Sequence, residues 1–183
     1  MAEMTDPSLR LAAASASIAS YCDRAEHLEL TDPTMIRTAG ATLREVAVEL
    51  AIERDISIVQ AYRMRLHAVE QRHPLYPADG FAAVEAIPEH NARWRELQQV
   101  QWQHDRHYHP DVLGLSRYEQ LRHYAFHLAK LAGSAAQATT GDDHDFYARR
   151  LPDILLFGLK LATLVNEQLT TESVQDASKG RGD

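Results

Sequence analysis

Apolar residues recur along the chain at three- and four-residue intervals, the repeat of a helix with one buried face. Leu43, Val46, Ala47 and Leu50 form one such stripe, and Ile58, Tyr62, Leu66 and Val69 form another. No segment rich in Val, Ile and Thr alternates apolar with polar positions, so no strand is expected and the fold class is all-α, a helical bundle. Helix starts are marked by Asp6-Pro7 and Asp32-Pro33, each a capping carboxylate before a proline whose missing N–H costs nothing at the first helical position. Asp55 is the expected cap of a third helix, which Pro74 ends. A fourth is expected from about Pro88 to His107, with Trp94, Leu97, Gln101 and His104 on one side. Ser116 and Glu119 form a capping box that opens a long helix to about Gln137. Thr139 to Asp143 read as a polar turn, and a last helix is expected from Asp143 to Leu169, kinked or restarted at Pro152.

The Pro/Gly-rich stretch 74–80 is the best candidate boundary. It divides the chain into an N-terminal helical segment (1–73), a helical core (74–169) and a polar tail (170–183) expected to fray. The last helix stands apart because Leu151, Ile154, Leu155, Leu156, Phe157, Leu159, Leu161 and Leu164 leave it apolar nearly all round. Such a helix needs neighbours on every side, which leads to an expected dimer or larger assembly. Asp153 is its only acid, and a carboxylate among these residues must find a partner, either an arginine such as Arg149 or Arg150 or a ligand.

Composition narrows the function classes. The 183 residues suffice for one domain with a real core, and 45% hydrophobic with 25% charged residues is an ordinary globular balance. A net charge of −7 removes the usual footprint of a nucleic-acid binder. The single cysteine, Cys22, rules out an intrachain disulfide and a cysteine-based zinc site. Acidic residues stand where a secretory signal has bases, and the most apolar run is too short to span a bilayer. A cytoplasmic protein with no membrane partner is expected.

Chemistry is best sought in the last two helices. The stretch from His127 through Lys130, a polar turn, and the run Arg150-Leu-Pro-Asp153-Ile-Leu-Leu-Phe-Gly resembles the paired helices of the MazG-like, all-α NTP pyrophosphohydrolases. The spacing between the two halves fits, and the resemblance extends from about residue 94 to 169. It implies a MazG-like helical core, a dimer, a nucleotide substrate and a magnesium ion held by a Glu-x-x-Glu motif and a Glu-x-x-Asp motif. At the four matching positions this chain has His127, Lys130, Arg150 and Asp153, so the resemblance carries over a single carboxylate, Asp153, as the catalytic candidate. Lysine and protonated arginine cannot ligate a metal, but they neutralise phosphate well. The expectation is therefore a degenerate hydrolase-type domain that binds a nucleotide or another anion through His123, His127, Lys130 and Arg150, with weak or no hydrolysis.

Other readings use the same segments. Ten histidines are many for this length, and His123 and His127, one helical turn apart, could share a zinc, iron or manganese ion with histidines near His104 to His109. The plainer account is a solvated face. His104-Asp105 resembles the doublet of HD-type phosphohydrolases, and the segment around Thr42 to Arg65 has the outline of a helix-turn-helix without its usual glycine. A non-enzymatic helical module that binds a partner through the same face is the alternative to the nucleotide reading.

Overall fold

The computed structural model describes residues 6–29, 31–72, 84–85, 87–88, 91–141 and 145–174. Among them it forms seven helices and no strand. These are α1 (Pro7–Glu26), α2 (Thr34–Glu53), α3 (Ile58–Glu70), α4 (Trp94–Tyr108), the short α5 (Pro110–Leu113), α6 (Arg117–Gly141) and α7 (Phe146–Leu164).

α7 is the axis of the bundle. α2, α3, α4 and α6 pack against it, while α1 lies outside, against α2 and α6. Every residue from Leu151 to Leu159 is buried. The apolar faces read from the sequence supply this core: Leu43, Val46, Ala47 and Leu50 from α2, and Ile58, Tyr62 and Leu66 from α3. Helices on both sides of residue 74 therefore share one continuous core. α6 and α7 run antiparallel: Tyr124 meets Phe157 and Lys160, while Lys130 and Ser134 share a cleft with Asp153 and Arg150. Leu121 and Leu128 of α6 and Ile154 and Leu161 of α7 all belong to that core. No helix among the described residues is long and apolar enough to cross a membrane.

Several boundaries differ from the sequence expectation. Asp55 does not cap α3. It sits in the left-handed region at φ 52, and Ser57 takes the capping role by accepting from the Gln60 N–H at 3.3 Å. α4 begins at Trp94 rather than Pro88, and α6 continues to Gly141 rather than stopping at Gln137. α7 neither restarts at Pro152 nor reaches Leu169; it runs through the proline and ends at Leu164. The expected boundary at 74–80 and positions 142–143 of the expected turn lie outside the described residues.

The expected frayed tail is docked as far as Val174. The first backbone N–H groups of a helix lack partners within it. Trp94 and Arg95 of α4 give theirs to the carbonyls of Glu172 and Thr170, at 3.3 and 3.0 Å. Val174, almost fully buried, donates to the Ala92 carbonyl at 2.9 Å.

Candidate functional site

The five residues singled out from the sequence line one cleft of about 440 Å³. α6 supplies His123, His127 and Lys130; α7 supplies Arg150 and Asp153. They converge because α6 and α7 are antiparallel neighbours, so a helical-turn repeat on one faces a helical-turn repeat on the other. Sequence reasoning missed the remaining charges: Arg65 on α3, Arg72 just past its end, and Lys160 on α7. A signal for the first two exists in the spacing, since Arg65, Val69 and Arg72 recur as one helical stripe. Lys160 lies two turns beyond Asp153 in a run that reads as plain core.

Asp153 is the only acid among the described residues that line the cleft. Its side chain is 12% exposed and takes one arginine on each oxygen. Arg65 Nε donates to Oδ1 at 2.5 Å, and Arg150 Nη1 donates to Oδ2 at 3.3 Å. The sequence pointed to an arginine on the same helix; the second comes from α3. Arg65 thus turns toward the cleft, and Arg63 pairs with Glu85 at 3.1 Å, so neither projects as a free recognition side chain.

Lys160 is almost buried and is neutralised from behind. Its Nζ lies 2.8 Å from Asp105 Oδ1, above the rings of Tyr124 and Phe157. Gln101 Nε2 donates to the same carboxylate oxygen at 3.0 Å, and the Tyr62 hydroxyl donates to Gln101 Oε1 at 2.8 Å. This chain ties α3, α4 and α7 together. It also gives Asp105 a structural partner rather than a metal.

Two cations in the cleft have no such compensation: among the described residues, neither Arg72 nor Lys130 has a carboxylate partner. The histidines contribute surface rather than charge. The His123 and His127 rings lie 4.7 Å apart, and His127 stacks on Phe157 at 5.6 Å. Burial lowers the pKa of His123 below the ordinary imidazole value, with Lys160 acting in the same direction. His127 is lowered by burial first and then by His123, Lys160 and Lys130, with Asp153 opposing. Both are neutral near pH 7. Val69, Val112, Leu131 and Leu156 complete an apolar wall.

The donor set does not fit magnesium, which takes several oxygen ligands. Among the described residues the cleft presents one carboxylate, already held by two arginines, and no group of three His, Cys, Asp or Glu side chains could hold a metal ion. His123 and His127 likewise lack a third ligand there. His104 and Asp105 are both buried; the former faces Glu70 at 3.7 Å and the latter serves Lys160. What the arrangement can do is attract and orient an anion. Comparison with protein-family models, curated proteins and solved structures finds no match to this chain.

Proposed function

We propose that the cleft binds a phosphate-bearing small molecule, of which a nucleotide is the best-fitting class, and that it does so without magnesium-dependent hydrolysis. The observation that carries this reading is that, among the described residues, Arg72 and Lys130 have no carboxylate partner and the one acid lining the cleft is already paired. Across the whole chain acids outnumber bases, with a net charge of −7, yet five cations gather here. Isolated cations on a surface carry little meaning, but cations converging on one cleft raise the local concentration of anions. The stacked His127 and Phe157 rings and the aliphatic wall beside them suit a planar, apolar body attached to the anionic end. Within this proposal α6 and α7 are counterparts of the motif helices of MazG-like hydrolases, with Lys130 and Arg150 at two of the four positions where that family carries carboxylates.

Calorimetric titration with a nucleoside triphosphate, with and without magnesium, tests the reading. Binding is expected without the metal and roughly tenfold weaker in each of Lys130→Ala and Arg72→Ala, the loss appropriate to one charge-assisted contact. Little or no pyrophosphate release is expected. Binding that is indifferent to both substitutions, or rapid chelator-sensitive pyrophosphate release, would overturn it.

A further inference from the structure

The cations of the cleft fall into two sets. Arg72 and Lys130 have no carboxylate among the described residues, whereas Arg65 and Arg150 hold Asp153 between them. A carboxylate with an arginine on each oxygen is arranged as a bound phosphate or carboxylate ligand would be. It belongs, however, to the protein. The guanidinium side chains are also more open than the acid they hold, 27% exposed for Arg65 and 49% for Arg150 against 12% for Asp153. All three side chains line the cleft, and each guanidinium has more N–H groups than the one it gives to Asp153.

We propose, building on the anion-binding reading above, that Asp153 is an internal counter-anion rather than a catalytic or ligand-holding group. The pocket then takes a diphosphate-type anion. One phosphoryl group is seated by Arg72 and Lys130, and the second competes with Asp153 for Arg65 and Arg150. A single phosphate is satisfied by the first seat. A diphosphate reaches the second and meets the opposing charge of Asp153 there. Asp153 lowers affinity for every anion at that seat, and only a ligand with enough charge to overcome it is retained.

Two effects follow from Asp153→Asn, and they differ in sign. The asparagine keeps an oxygen that can orient one arginine, so the seat loses part of its positioning. It also loses a full negative charge within ion-pair distance of both guanidinium groups, and that is the larger effect because such charges are only partly screened in a half-buried cleft. Titration of the full chain with inorganic pyrophosphate and with inorganic phosphate is the test. In Asp153→Asn, pyrophosphate is expected to bind roughly tenfold more tightly, while phosphate affinity changes by less than about threefold. Unchanged or weaker pyrophosphate binding in this variant, with Lys130→Ala still weakening it, overturns the counter-anion role and leaves the anion site standing. Failure of both anions to bind the wild type and the variant overturns both. A second measurement needs no variant: the Arg65 Nε–H resonance of the wild-type protein is expected to shift on addition of pyrophosphate. An unmoved Arg65 signal at saturation overturns the proposal.

Discussion

Leu28, Asp55 and Asn166 follow the last turns of α1, α2 and α7 with φ of 56, 52 and 55. Each begins the same closure. The N–H of the next residue reaches back to a helix carbonyl: Glu29 to Arg24 at 3.0 Å, Ile56 to Ala51 at 2.8 Å and Glu167 to Ala162 at 2.9 Å. This is the Schellman arrangement, whose usual signal is glycine. None of the three positions is glycine, so the sequence did not mark these ends, and Asp55 read as a cap for the following helix instead. Leu28 is 94% exposed and has no packing to lose. Leu28→Gly is therefore expected to stabilise the fold by roughly 0.5–1 kcal/mol, relief of left-handed strain outweighing the added freedom of the unfolded chain. A lowered urea midpoint would contradict this. At the cleft, the depressed histidines give a second residue-scale prediction. Their protonation adds positive charge beside Lys130, Lys160, Arg65, Arg72 and Arg150, with Asp111 and Asp153 the acids that oppose them. Sulfate, which keeps its charge, is expected to bind more tightly as pH falls below the ordinary imidazole value of about 6.5. His123→Gln together with His127→Gln should flatten that dependence.

At the scale of elements, α2 and α7 cross closely at Gly40 and Gly158. A Cβ on Gly158 would lie 2.7 Å from Arg44 Cγ and 3.1 Å from the Gly40 carbonyl oxygen. Arg44 is drawn into this crossing by donating to the Gly158 carbonyl and to Glu167, both at 3.1 Å. Gly158→Ala is expected to destabilise the protein by about 1–3 kcal/mol, as overpacking a well-filled core does, with a clear drop in Tm. An unchanged Tm would mean that the helices separate at no cost. The long helices themselves were legible in the sequence. Ser116 and Glu119 make the reciprocal cap they predict, at 3.3 and 2.9 Å. The end of α6 was not, because Thr140 bonds back to the carbonyls of Ala136 and Gln137 at 3.3 and 3.0 Å and stays helical where a polar turn was expected.

For the molecule as a whole, one of the two grounds for the expected dimer, beside the MazG-like resemblance, was a last helix apolar on every side. α2, α3, α4 and α6 cover those sides within one chain, so α7 itself needs no second copy. The same burial makes stability depend on acid. His104 is 1% exposed, and burial, reinforced by His109, Lys160 and His107, lowers its pKa from 6.5 to about 3, against a hydrogen bond to the Leu66 backbone that raises it. Between those values the unfolded chain binds a proton that the folded one refuses. The contribution of this group to stability is therefore full above about pH 6.5 and is lost as pH drops toward 3. Denaturant unfolding across that range should show the fall, and His104→Gln should reduce the slope. The sequence by itself determined the all-helical class, the main apolar faces and the five residues from His123 to Asp153 that line the cleft, because helical periodicity and short spacings are local properties. Only the tertiary structure decided that α3 completes that cleft, that Arg65 shares Asp153 with Arg150, and that Lys160 is neutralised by Asp105. Those pairings join residues far apart in the chain, and they exist only because α7 packs against α3, α4 and α6 at once.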